Sequence, residues 1–344
     1  MNSYQTQLAT TTFGLLTLVV IVVLGLAACS ALDETGFIAY SAGPEGERDI
    51  AVVRPNGNQG QMIITDPSDD FSPRWSADGN RLAFLSDRDG NVELYIASAD
   101  GTNLMRSTNT GVPESDPTWS PDGRRIAYVS LDSAGSPHIF IFQMATLIPQ
   151  RLTFGSIGET DPAWSPSGRW LAYVGLKSNG EPEGIFIRNP DGVNRITVTS
   201  GLDRSPTWSP DSKWLAYVSE QGGNKDVYII NIESEARIGT PIKLTEYDGL
   251  DFAPTWSPDS KRVAFLSNRA GNLDIFTIDA DGQNLQALTT NEVDELEVIW
   301  GPDGRLVFVS QLSDKPDLFI MKESGADQRA LPPLSGLVYT QPDW

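Results

Sequence analysis

Trp119-Ser-Pro-Asp-Gly-Arg-Arg-Ile-Ala-Tyr-Val-Ser130 and Trp256-Ser-Pro-Asp-Ser-Lys-Arg-Val-Ala-Phe-Leu-Ser267 are two copies of one pattern. In Pro-Asp-Gly the proline presets its own backbone and the glycine takes the strained position, so the string marks a tight turn. An apolar run follows each turn at once. The leading tryptophan recurs at Trp75, Trp119, Trp164, Trp208, Trp256, Trp300 and Trp344, at intervals of 44, 45, 44, 48, 44 and 44 residues. Such a period decides the architecture of the whole chain.

The segments after the turns (82–86, 126–130, 171–175, 215–219, 263–267 and 306–310) read as short apolar strands. A Gly- or Asn-rich turn then leads to a third strand, as at 94–97, 139–142 and 275–278. Asp-Gly turns and a short fourth strand ending in Leu-Thr, as at Leu152-Thr153 and Leu244-Thr245, complete the unit. Four antiparallel strands in such a repeat make a propeller blade. Helical periodicity is absent inside the repeat, which excludes a helical solenoid. Before Trp75, segments 37–41, 50–53 and 62–65 match the second, third and fourth strands of a blade, while 338–344 matches a first strand alone. The expectation is an all-β, seven-bladed β-propeller of four-stranded antiparallel blades, closed by pairing the C-terminal strand with the N-terminal strands. Six blades is the alternative. Closure removes the exposed edges that invite aggregation.

The Trp-Ser-Pro-Asp-Gly repeat, over residues 36–344, resembles the propeller repeats of the TolB type, also found in the propeller domains of prolyl-oligopeptidase-like peptidases. The motif is specific for fold and poor for function. The resemblance implies a propeller that binds partner proteins in the cell envelope. TolB-like proteins carry an α/β domain before the propeller, and the peptidases add a hydrolase domain. Few residues separate Cys29 from the first strand, so neither is expected here.

Residues 13–28 form an apolar run ending at Cys29, too short for a comfortable membrane span and suited to a signal-peptide core. Leu26-Ala27-Ala28-Cys29 resembles the lipobox of bacterial lipoproteins, which implies cleavage before Cys29 and lipidation of that cysteine. An uncleaved transmembrane anchor is the other reading. The expected organisation is a signal at 1–28, a tether at 29–35 and one propeller at 36–344, outside the cytoplasm and held to a membrane by the lipid. Cys29 is the single cysteine, so no intrachain disulfide forms. The net charge of -20 disfavours nucleic acid, whose phosphates need clustered Lys and Arg.

The seven tryptophans are expected to be structural wedges between blades, each burying roughly 150–250 Å². Five residues before them stand Asp70, Glu114, Glu159, Asp203, Asp251 and Glu295, then Tyr339. These acids are expected just before the innermost strands, ringing one mouth of the channel and backed by Asp116, Asp161 and Glu297. Two readings stand: a site for a cation, a basic peptide or a cationic ligand, or acids that satisfy donors in their own loops. At ~10 Å spacing in water each neighbouring pair repels by roughly 0.4 kcal/mol, so no obligate metal ion and no cofactor is expected.

The single histidine, His138, fills a repeat slot shared with Asp49, Glu93, Gly184, Asp226, Asp274 and Asp317, so it reads as structural. Arg88 with Glu93 and Arg269 with Asp274 are expected as exposed pairs. Segment 87–93 has the glycine of a calcium loop in the wrong place and reads as a hairpin turn. The function expected is a non-catalytic, monomeric module that binds a protein or peptide with basic segments. The alternative is a carbohydrate-active hydrolase or lyase working with channel-mouth carboxylates.

Overall fold

The structure, a computed structural model, describes residues 36–154, 158–192, 194–234, 237–311, 316–332 and 339–344. The apolar leader and Cys29 lie outside the described residues. Among the described residues no helix is long and apolar enough to cross a membrane. Residues 37–344 form one compact unit.

The chain folds into seven antiparallel sheets, each a propeller blade, so the six-bladed alternative is set aside. Blade one joins Tyr339–Asp343 to Ile38–Ala42, Asp49–Val53 and Gln61–Ile64. Blades two to seven span 70–106, 114–151, 159–197, 203–243, 251–287 and 295–330. The longer interval between Trp208 and Trp256 is taken up in blade five. There the third strand extends over Asp226–Ser234 and pairs with both Arg237–Ile238 and Ile242–Lys243.

Tight turns make the repeat regular. In four blades the serine hydroxyl after the tryptophan donates to the aspartate of the turn at 2.6 Å, as Ser76 to Asp78 and Ser209 to Asp211. Gly79, Gly123 and Gly168 close these turns at φ of 66°, 65° and 70°. Ser212 and Ser260 hold the same conformation at 62° and 61°. Second and third strands carry facing aromatic pairs in six blades, from Phe84–Tyr95 to Phe308–Phe319, with centroids 5.4–6.1 Å apart.

The hydrophobic core is divided among the blade interfaces. Trp119 packs with Ala83, Leu85, Leu94 and Ile96 of the preceding blade, and Trp256 with Ala216, Val227 and Ile229. The indole N–H of Trp119, Trp208 and Trp256 donates to a backbone carbonyl of the preceding blade at 3.0–3.2 Å. The guanidiniums of Arg81, Arg125, Arg262 and Arg305 lie 4.9–5.4 Å from the ring centres of Trp119, Trp164, Trp300 and Trp344. One departure from the motif has a steric cause. Gly301 stands where other units carry serine, and a Cβ there would collide with the Trp344 ring.

Trp256→Ala should therefore cost about 3–5 kcal/mol in denaturant unfolding, because a cavity opens between two blades. Phe154→Ala, at a side chain 79% exposed, should change stability by less than about 0.5 kcal/mol.

Candidate functional site

Six of the seven innermost strands begin with an acid and end with tryptophan, and the chain is bulged between them, as it is in the blade-one strand Tyr339–Asp343. At the bulge Ser72, Asp116, Asp161, Ser205, Ala253 and Gln341 adopt φ of 52–55°. The ladder slips at the same places, as between Ser115 and Thr118. A proline follows each of the six bulge residues; it lacks the N–H that a regular ladder requires, so a bulge suits it. The bulge turns its residues toward the channel. There Arg74, Asp116, Thr118, Asp161, Ser205 and Thr207 line a cavity of about 510 Å³, together with three of the bulge prolines, Pro117, Pro162 and Pro206.

Side chains at the bulge also tie blades together. Gln341 N–H donates to Glu297 Oε2 at 2.8 Å, and Ser72 N–H donates to Gln341 Oε1 at 2.8 Å. Ser205 N–H donates to Asp161 Oδ2 at 3.2 Å. Asp116 instead accepts from the neighbouring Ser115 hydroxyl and stays exposed. Burial raises the Asp161 carboxyl above the ordinary range, and the charge of Asp116 adds to that push. Burial also raises Glu297 and Asp343, against the pull of Arg74.

The six acids at the start of the strands do not stand in an open mouth. Asp70, Glu114, Glu159, Asp203, Asp251 and Glu295 are at most 4% exposed, and each is the first residue of its strand. Their carboxylates turn into the blade interfaces. Arg88 holds Asp70 at 2.7 and 2.8 Å, and Arg269 holds Asp251 at 2.9 and 2.8 Å. This corrects the expected exposed pairs with Glu93 and Asp274, which are themselves fully buried. A guanidinium reaching across the hairpin meets a dehydrated carboxylate, a stronger attraction than any available in water.

His138, fully buried, bridges two blades: Nδ1 lies 2.7 Å from Glu159 Oε2 and Nε2 lies 3.1 Å from Asp132 Oδ2. Segment 87–93 is a hairpin turn. Asp87 accepts from Asp69 N–H at 2.9 Å, Asp89 holds the Tyr95 hydroxyl, and Glu93 pairs with Arg106 at 3.0 Å. Among the described residues no group of three or more His, Cys, Asp or Glu converges as a metal site.

Arg74, Thr118, Ser205 and Thr207 were not singled out from sequence. The recurrent proline two residues before the tryptophan was the available signal, because it marks a bulge on the channel-facing strand.

The family model described as the TolB beta propeller domain matches residues 93–240 and 184–344. A protein TolB homolog of Chlorobium luteolum is 38% identical over 61 residues, which span 18% of this chain and 14% of that relative's length. Among solved structures, TolB from Acinetobacter baumannii matches with a TM-score of 0.57 at 22% identity, covering 89% of this chain and 82% of that one. An oligogalacturonate lyase in complex with manganese matches with a TM-score of 0.69 at 14% identity, covering 88% of each chain. At these identities the structural likeness is one of fold.

The buried acids make stability depend on pH with an unusual sign. Burial pushes Glu114 up to about 7, helped by neighbouring Glu93, and burial pushes Glu295 up to about 7 near Asp274 and Asp294. Both start from an ordinary value of 4.5, so between 4.5 and 7 the folded chain binds more protons than the unfolded one. Stability should rise as pH falls through 7. Below about pH 4 it should drop, because Asp78 and Asp259, held low chiefly by Ser76 and Ser257, protonate. The Tm from calorimetry should peak near pH 5, and Glu114→Gln with Glu295→Gln should flatten the rise. A Tm climbing steadily from pH 5 to 8 contradicts this account.

Proposed function

Because the chain belongs to the TolB β-propeller domain family, we propose that it is a rigid binding module whose channel receives a protein or peptide segment carrying basic side chains. The observation that carries the reading is the cavity of about 510 Å³ lined by Asp116 and Asp161. Its walls are bulged strands locked to their neighbours, so the carboxylates are held in place before a ligand arrives, which limits the ordering cost of binding. Thr118, Ser205 and Thr207 add hydroxyls for orientation, and the net charge of -20 steers cationic partners inward. Arg74 marks the part of the wall that repels them.

The same reading places the propeller outside the cytoplasm, with residues 1–28 as a signal, 29–35 as a tether and Cys29 as the lipid attachment point. The lipobox-like string carries that part, and mass analysis of the mature N-terminus tests it. An unmodified Cys29 behind an intact leader would overturn it.

For the channel, the chain is immobilised and challenged with a library of Lys- and Arg-containing peptides. Asp116→Asn with Asp161→Asn should weaken the best binder by at least about tenfold, and added salt should weaken it further. Equal binding by this double variant, at equal Tm, removes the channel from consideration.

One observation favours a second reading. A carboxyl raised by burial at Asp161, beside a second acid, is an arrangement that carbohydrate-cleaving enzymes use. Incubation with acidic and neutral oligosaccharides tests it: product formation that vanishes in Asp161→Asn would make the channel catalytic.

A further inference from the structure

Blades two and six share one electrostatic unit, and blade five has all of it but one part. In blade two the unit is complete: Arg88 donates through Nη2 to both oxygens of Asp70 and through Nε to Ser86 Oγ at 2.9 Å. Its guanidinium carbon lies 5.8 Å and 5.0 Å from the rings of Phe84 and Tyr95. Blade six repeats this with Arg269, Asp251 and Ser267, and the rings of Phe265 and Phe276 at 5.5 Å and 5.0 Å.

Blade five has the acid, Asp203; the serine, Ser219; and the aromatic pair, Tyr217 stacked on Tyr228 at 5.7 Å. At the arginine position, two residues after the serine, stands Gln221. Its amide turns away and donates to Ser200 O at 2.7 Å, packed over Gly201. Asp203 is 1% exposed, and neither carboxylate oxygen has a hydrogen-bond partner among the described residues. The slot facing it from the preceding blade, where His138 answers Glu159, holds Gly184, which has no side chain. Nearby cations are engaged elsewhere: Arg204 and Lys225 with Glu220, Arg195 with Glu183, and Lys243 with Asp226.

A buried carboxylate without a partner is costly, since dehydration is not offset by any donor. We propose that Asp203, Ser219 and the Tyr217–Tyr228 pair form a vacant guanidinium site, which takes an arginine side chain of a partner polypeptide. The chain's own arginines define the chemistry: a planar fork satisfies both oxygens while stacking on aromatic faces, which an ammonium does less well. The slot also opens to solvent in the occupied blades, where Arg88 and Arg269 keep 14% and 16% of their side-chain surface exposed. In blade five the exposed hairpin Gln221-Gly222-Gly223 borders it. The site is separate from the channel cavity and does not depend on the channel reading.

The test uses the full chain with Nα-acetyl-arginine amide as probe, followed by ligand-observed NMR and calorimetry. Wild type should bind it at least about tenfold more tightly than Nα-acetyl-lysine amide. In the background of Asp116→Asn with Asp161→Asn, Asp203→Asn should abolish binding. Gln221→Arg should abolish it too while raising Tm, because the variant fills its own slot as blades two and six do. Arg88→Gln should add a second site. Asp116→Asn with Asp161→Asn should leave the probe bound. Absence of binding to wild type, or binding that survives both Asp203→Asn and Gln221→Arg, overturns the proposal.

Discussion

The pairing of Tyr339–Asp343 with Ile38–Ala42 joins segments about 300 residues apart, and the ring exists only because that contact forms. Each blade buries one face against its predecessor and the other against its successor. An open array would leave two such faces and two sheet edges to water. Joining the ends disposes of all four at once, at a loop-closure cost that grows only slowly with length. Trp344 adds its ring to the interface with blade seven, over Gly301. Closure also reaches the channel, since Gln341 receives the blade-two amide of Ser72 and donates to Glu297.

Around the ring the fold places acids in the blade interfaces and answers each in a different way. Arg88 and Arg269 supply guanidinium, His138 bridges Glu159 and Asp132, Arg106 holds Glu93, and the hydroxyls of Thr108 and Thr110 donate to Glu114. The repeat fixes where a carboxylate stands, and local substitutions decide what neutralises it. Asp203 and Asp274 both lack a hydrogen-bond partner among the described residues, and beside Asp203 stand the serine and aromatic pair that frame a guanidinium in blades two and six, so its environment resembles a binding site rather than a latch. The channel shows the converse. There the bulges place Asp116 and Asp161 in the wall of a cavity, within reach of a ligand.

Much of this was legible in the residues themselves. The spacing of the tryptophans, the Pro-Asp-Gly turns and the unmatched strands at 37–65 and 338–344 led to seven blades and their manner of closure, because turn chemistry and apolar alternation are local properties. The acids were found as a repeating set by the same route, and their burial was not. Whether a strand-initial carboxylate faces a channel or a blade interface depends on the register between strands. A bulge of one residue changes that register: Asp116 reaches the cavity, while Glu114, two residues earlier, is buried against Thr108 and Thr110. The partners assigned to Arg88 and Arg269 failed for a related reason, since the sequence-adjacent acid across the hairpin is not the nearest one in space.

The linear chain therefore determined the number of blades, the place of each tryptophan and the sewing of tail to head, through periodicity and turn-forming residues. Only the tertiary structure decided which acids are paired, which face the channel and which lack a partner. Electrostatic environment is set by distances of a few ångströms between residues from different blades, and no repeat spacing encodes those distances.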